Sequence, residues 1–194
     1  TASFVIIGQI KVTKPDIAEP NWVVGETTRE IKWIPYGTFP TAVKIEGSKN
    51  AFSDESTTWT ILGTIAPGST GVEQTYSYPL VEDKISNNVK VRVSDSDASR
   101  SALVKDVSDK AYVIKGALTI TTPNVTWFVG DSPTAPVGNP QPRTINWNAT
   151  GTVGNVKLEF LDGTDWIEII ASTPTGAAGT GAGSYVWPAV LSAR

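Results

Sequence analysis

Short stretches of alternating hydrophobic and polar residues recur along this chain and predict β-strands. Residues 89–93 (VKVRV) place three valines on one face of an extended backbone, and residues 43–46 (VKIE) and 156–159 (VKLE) follow the same period. Segments rich in Gly and Pro, such as 66–71 (APGSTG), separate these stretches and are typical of turns. No segment of about 11 residues keeps the period of a helix, so the pattern predicts an all-β chain.

Several short sequences occur twice in the chain, in the same order. Residues 4–15 (FVIIGQIKVTKP) match residues 112–123 (YVIKGALTITTP) at an offset of 108. The later matches have offsets between 105 and 114: 22–25 with 127–130, 31–33 with 145–147, 43–46 with 156–159, Trp59 with Trp166, and 76–79 with 185–188. The chain therefore contains an internal repeat, and the joints fall near Gly8 and Gly116.

The repeat predicts a division of the chain into three parts. Residues 1–7 are expected to be the terminal strand of a preceding repeat, residues 8–116 a complete domain, and residues 117–194 a second domain. We expect the second domain to be incomplete at its C-terminal end, because nothing in it matches residues 88–112. About seven short strands in about 100 residues are typical of an immunoglobulin-like β-sandwich, so the prediction is a tandem array of such domains.

The repeated sequences resemble the Kre9/Knh1-like immunoglobulin-like domain. The resemblance is carried by WxxG at 22–25, IxW at 31–33, YxYP at 76–79, VKVRVSD at 89–95, VSD at 107–109 and YVI at 112–114. That domain recurs in fungal cell-wall proteins and in multi-domain surface proteins of bacteria and archaea. What the resemblance implies is an extracellular β-sandwich repeat without an activity of its own. The Pro-rich segment 133–142 and the Gly/Ala-rich segment 176–183 depart from the compact pattern of the family.

Composition and charge exclude several functional classes. The 194 residues include 16 Lys and Arg against 19 Asp and Glu, for a net charge of -3, which disfavours nucleic-acid binding. His and Cys are absent, which excludes imidazole bases, thiol nucleophiles, disulfides and His/Cys metal sites. The sequence contains no apolar run of about 18 residues, so no transmembrane segment is predicted. No catalytic sequence motif is present, so we expect no enzymatic activity.

Two pairs of aspartates form the candidate cation site. Asp95 and Asp97 follow one predicted strand, and Asp106 and Asp109 lie on the next stretch. A hard cation such as calcium takes six to eight oxygen ligands, and two loops that carry aspartates supply several. The alternative is that these aspartates cap turns through hydrogen bonds to their own backbone. No other cofactor is predicted.

Repeated aromatic residues allow two interpretations, namely a hydrophobic core or a platform on which sugars stack. The residues concerned are Trp59, Tyr76 and Tyr78, with Trp166, Tyr185 and Trp187 in the second copy. Because they recur at the same places on alternating strands, we expect them to lie in the core. Two sequons, at Asn124 and Asn148, are candidate glycosylation sites.

These observations predict a non-catalytic structural repeat of a secreted cell-surface protein, serving as a spacer, stalk, filament or surface-layer unit. The alternative is an adhesin or a carbohydrate-binding module. The expected partners are neighbouring repeats or copies of the same chain, with surface glycans under the alternative. Strand addition is one route to assembly, in which the segment 4–6 enters the open sandwich of a neighbour.

Overall fold

The computed structural model describes five stretches of the chain, residues 6–16, 20–39, 42–124, 143–176 and 180–187. The chain divides into two compact units, residues 1–115 and 116–194. The candidate segment 1–7 lies mostly outside the described residues, and of it only Ile6 and Ile7 are described. The Pro-rich segment 133–142 also lies outside them. The predicted domain boundaries therefore remain predictions.

The regular structure of both units consists of strands. Those of the first unit are β1 (Gln9–Lys14), β2 (Trp22–Val23), β3 (Arg29–Tyr36), β4 (Val43–Ser48), β5 (Thr58–Ile65), β6 (Gln74–Tyr78), β7 (Ser86–Asp95), β8 (Lys105–Val107) and β9 (Tyr112–Lys115). Those of the second unit are β10 (Ala117–Thr122), β11 (Thr144–Thr150), β12 (Asn155–Asp162), β13 (Asp165–Pro174) and β14 (Thr180–Val186). Apart from a 3-10 turn at Glu55–Thr57, no helix occurs in the described residues, which confirms the all-β class.

Two sheets enclose one hydrophobic core in the first unit. One sheet has the order β1-β3-β6, and the other has the order β2-β9-β7-β4-β5 with β8 paired to β7. The neighbours are antiparallel except for β2 and β9, which are parallel. The alternating sequence of β7 accounts for its place in the core, because Val89, Val91 and Val93 are fully buried, as predicted.

The second unit contains a sheet of the order β10-β11-β14 and a separate hairpin of β12 and β13. Its smaller core consists of Ile145, Trp147, Val156, Leu158 and Trp187. No helix among the described residues of either unit combines the length and the apolar character needed to cross a membrane.

The three-stranded sheets of the two units have matching registers. Val12 on β1 faces Trp33 on β3, and Ile120 on β10 faces Trp147 on β11. Both pairings are followed by a register shift before the next residue pair. Paired residues of β1 correspond to residues 108 positions later on β10, and their partners on β3 correspond to residues 114 positions later on β11. These are the offsets of the repeated sequence.

The hairpins β4–β5 and β12–β13 also correspond. Glu46 faces Thr60 in the first hairpin, and Glu159 faces Glu168 in the second. Since residues 43–46 match residues 156–159 in sequence, this register aligns Thr60 with Glu168. Each residue of β5 near this point therefore corresponds to the residue 108 positions later on β13.

The predicted pairing of Trp59 with Trp166 is wrong by one residue. The register aligns Trp59 with Ile167, and it aligns Trp166 with Thr58. Because successive side chains of a strand point to opposite faces, a shift of one residue moves a side chain to the other face. Trp59 is half-buried against the first core, whereas Trp166 is 66% exposed.

Candidate functional site

An arginine holds the aspartate-containing loop after β7. Asp95 Oδ2 accepts a hydrogen bond from Arg100 Nε at 2.8 Å, and the Asp95 side chain is 2% exposed. Arg100 Nη1 lies 3.1 Å from Asp97 Oδ2. The hydroxyl and the backbone N–H of Ser99 both donate to Asp97 Oδ1, and these bonds lower the pKa of Asp97. The first two predicted calcium ligands therefore act within the protein as an ion pair and a turn cap.

The other two aspartates do not join the first pair in a metal-binding group. Asp106 Oδ2 accepts a hydrogen bond from the Val12 N–H at 2.8 Å, which ties β8 to β1. Asp109 is exposed, and its backbone carbonyl accepts a hydrogen bond from Lys90 Nζ at 3.0 Å. In the part of the chain that the structure describes, no three acidic side chains lie close enough together to hold a metal ion. The calcium site stays a prediction without a preformed cluster behind it.

Arg92 on β7 links two glutamates on the face of the strand opposite its buried valines. Its Nε donates to Glu46 Oε2 at 3.0 Å, and its Nη1 and Nη2 donate to the Glu55 carboxylate at 2.7 and 3.0 Å. The bonds from Arg92 are the main cause of the lowered pKa of Glu55. The arginine also lines a cavity of about 190 Å³ with Ser94 and Lys105. Because its guanidinium is already bonded to two carboxylates, the group serves to join β7 to β4 and to the 3-10 turn.

The second unit carries an uncovered apolar surface, which we call the β10–β12 groove. It is a cavity of about 210 Å³ lined by Leu118, Ile120, Trp147, Val156, Lys157 and Leu158. Leu118 and Ile120 are 49% and 66% exposed. Among the described residues, β12 pairs with one strand only, β13. The groove therefore lies beside a strand edge that has no partner there.

The corresponding surface of the first unit is covered. Ile10 and Val12, the counterparts of Leu118 and Ile120, are 2% and 6% exposed. They share a core with the three valines of β7 and with Val104. The β4 strand, the counterpart of β12, pairs with β5 on one side and with β7 on the other.

The six aromatic residues predicted to lie in the core fall into three groups. Tyr78 and Trp187 are buried, and Trp59, Tyr76 and Tyr185 are half-buried against the cores of their units. Trp166 contradicts the prediction, because it is 66% exposed and faces the exposed Leu161 across the hairpin. The misplaced pairing with Trp59 caused this error.

Charged residues share the hairpin with Trp166. Lys157 Nζ lies 2.6 Å from Glu159 Oε1 and 3.4 Å from Glu168 Oε2. The hydrogen bond to Glu159 is the main cause of the raised pKa of Lys157. An exposed indole with polar groups on the same hairpin is an arrangement on which a sugar ring can stack.

Both candidate glycosylation sites present their asparagines to solvent. Asn124 is exposed, and the remaining residues of its sequon lie outside the described residues. Asn148 is exposed at the middle of β11, where it faces Thr119 of β10 and Ala182 of β14. Exposure is compatible with glycosylation at both positions, and glycosylation stays a prediction.

Comparisons with known proteins found no matching family model, no similar curated protein and no similar solved structure.

Proposed function

We propose that this chain is a non-catalytic structural repeat of a secreted cell-surface protein, built from tandem immunoglobulin-like sandwiches. The observation that carries the proposal is the recurrence of one strand arrangement in two units. Val12 faces Trp33 in the first unit as Ile120 faces Trp147 in the second. Repetition of a self-contained core is how spacers, stalks and surface lattices are extended.

The topology of the first unit supports the immunoglobulin-like part of the proposal. The order β9-β7-β4-β5 in one sheet corresponds to the strands G, F, C and C′ of such domains, and β1-β3-β6 corresponds to A, B and E. The charged side chains around β7 support a structural role for the chain, because Arg92 and Arg100 form ion pairs with carboxylates of the same unit.

A second candidate function is glycan binding, as in an adhesin or a carbohydrate-binding module. The specific observation in its favour is Trp166, whose side chain is 66% exposed on the β12–β13 hairpin. Trp166 faces the exposed Leu161, and exposed apolar patches rimmed by polar residues are typical of binding surfaces. A glycan array probed with the full chain and with Trp166→Ala tests this candidate, and we expect binding by neither protein if the role is purely structural.

Electron microscopy tests the structural proposal. Gold-labelled antibodies against the chain should bind intact source cells without permeabilisation, and the native material should form filaments or sheets. Label that appears only after permeabilisation would contradict the surface location. A repeat of the imaging with a calcium chelator tests the predicted calcium site, because loss of order on chelation would show that a metal ion holds the assembly together.

A further inference from the structure

We infer that the β10–β12 groove binds an extended segment of a partner polypeptide, which covers Leu118 and Ile120 and adds as a strand to the edge of β12 that has no partner among the described residues. The inference rests on the proposed structural function and specifies the chemistry of the partner. The segment has the character of β7, with β-branched residues at alternate positions and an arginine between two of them.

The first unit shows how such a strand fits. There β7 runs antiparallel to β4, so that Val93 faces Ile45 and Val91 faces Gly47. The positions on β12 that correspond to Ile45 and Gly47 are Leu158 and Phe160. A strand added to β12 in the same register would place its apolar residues toward the groove, as β7 does toward the first core.

The exposed side chains match the apolar face of such a strand. In the first unit the three valines of β7 share a core with Ile10 and Val12, which are 2% and 6% exposed. In the second unit, Leu118 and Ile120 keep 49% and 66% of their surface in solvent. Large aliphatic residues beside an unpaired strand edge are the features that β-strand addition uses.

Charge complementarity predicts that the arginine of the partner segment lies opposite a glutamate of β12. In the first unit Arg92 faces Glu46 across β7 and β4, with the Glu46 side chain 12% exposed. The counterpart of Glu46 on β12 is Glu159, whose side chain is 33% exposed and has Lys157 as its nearby cation. An arginine in the position of Arg92 would therefore meet a carboxylate at Glu159.

A folded second copy of this chain is not the occupant that these observations favour. The strand with the required character, β7, is already paired with β4, β8 and β9 of its own unit. Release of β7 would expose the core of the first unit. The partner is therefore a polypeptide in which a β7-like segment is free to pair.

A labelled peptide with the sequence of residues 86–109 serves as the probe, and fluorescence anisotropy measures its binding to the full chain. We expect saturable binding, and we expect Ile120→Lys to weaken it by about tenfold or more, because a lysine would put charge into the apolar groove. Leu161→Lys is the matched control, since Leu161 is 51% exposed on β12, the strand that the peptide would join, and does not line the groove. Circular dichroism verifies that both variants are folded.

A charge exchange tests the register. The peptide with Arg92→Glu should bind the parent chain about two- to fivefold more weakly, and Glu159→Arg in the chain should restore binding of that altered peptide. Absence of saturable binding up to about 1 mM peptide, or equal weakening by Ile120→Lys and Leu161→Lys, would overturn the inference.

Sedimentation of the chain without peptide identifies a competing occupant. Self-association that Ile120→Lys abolishes would mean that a second copy fills the groove, which would overturn the assignment of the partner. The surface-labelling experiment is independent of these measurements. Surface label without peptide binding would refute the groove inference alone, whereas label only inside the cell would refute the proposed function.

Discussion

Two pairs of aliphatic residues occupy corresponding positions in the two units and differ in burial. Ile10 and Val12 on β1 are 2% and 6% exposed, whereas Leu118 and Ile120 on β10 are 49% and 66% exposed. Their local sequences and strand pairings match. The difference arises from strands far along the chain, since β7 and Val104 complete the first core. Burial of a repeated apolar position therefore depends on which distant strands accompany it, and a repeated sequence alone does not determine it.

The paired tryptophans at the centre of the three-stranded sheets show a related difference. Trp33 Nε1 donates a hydrogen bond to the Pro67 carbonyl at 3.1 Å. Trp147 Nε1 is buried and has no hydrogen-bond partner among the described residues, and Trp147 also lines the open groove. The first indole is therefore both buried and hydrogen-bonded, whereas the second is buried in a smaller core without that bond.

Truncation of these tryptophans should have the largest effect. Trp33→Ala should lower the free energy of unfolding of the first unit by about 3–5 kcal/mol, because it leaves a large cavity in a closed core. Trp147→Ala should cost less, because Trp147, although only 2% exposed, lies in a smaller core and its indole N–H has no hydrogen-bond partner among the described residues. Urea unfolding followed by circular dichroism measures both. An equal loss in the two variants would mean that the smaller core depends on its tryptophan as strongly as the larger core does.

Truncation of the aliphatic pair should separate the two units more sharply. Ile10→Ala should cost about 2–4 kcal/mol, whereas Leu118→Ala should change the free energy of unfolding by no more than about 0.5 kcal/mol. The reason is that only Ile10 loses contacts within a sealed core. The same urea titration, fitted separately for the two units, provides the measurement. A loss of more than about 2 kcal/mol from Leu118→Ala would show that this leucine is covered after all.

The tryptophans of the two hairpins test the corrected register. Trp59→Thr should destabilise the first unit by about 1–2 kcal/mol, because Trp59 is half-buried against the core. Trp166→Thr introduces the residue type found at the aligned Thr58, and its effect should stay within about 0.5 kcal/mol. Thermal unfolding of both variants compares them directly. A large loss from Trp166→Thr would support the original pairing of the two tryptophans.

Local patterns predicted the strands and several core residues. The alternation of β7 predicted the three buried valines, because a period of two holds within a strand whatever its partners are. The repeated IxW sequence follows the same rule, because Ile31 and Trp33 are both buried, as are Ile145 and Trp147. These predictions succeeded because each depends on residues within a few positions of one another.

The features that sequence analysis missed depend on contacts between distant residues or on register. Both hairpins contain two register shifts at corresponding positions, so only the strand pairing shows that matching tryptophan to tryptophan displaced the alignment by one residue. The pairing of Arg100 with the buried Asp95 occurs in a loop without periodicity, where no pattern marks a partner. The separation of Asp106 from the first aspartate pair follows from its bond to Val12, on a strand far away in sequence.

The smallest predicted effect concerns the opposite pH dependence of one ion pair in each unit. The Arg92 hydrogen bonds lower the pKa of Glu55 below its usual value of 4.5. The ionised Glu55 therefore stabilises the first unit above pH 4.5, and this stabilisation is lost as the pH falls through the lowered pKa. The Glu159 hydrogen bond raises the pKa of Lys157 above its usual value of 10.5. The charged Lys157 therefore stabilises the second unit below pH 10.5, and this stabilisation is lost as the pH rises through the raised pKa.

Because the Glu55 side chain is 65% exposed, we expect Glu55→Gln to cost the first unit at most about 0.5 kcal/mol near neutral pH. That difference from the parent chain should disappear as the pH falls below 4.5 and through the lowered pKa. Lys157→Gln should instead lower the stability of the second unit near neutral pH, with a difference that is lost as the pH rises above 10.5 and through the raised pKa. Urea unfolding of the two variants across this range measures both effects. A Glu55→Gln difference that persists at low pH would show that the glutamate stabilises the first unit through packing and not through its charge.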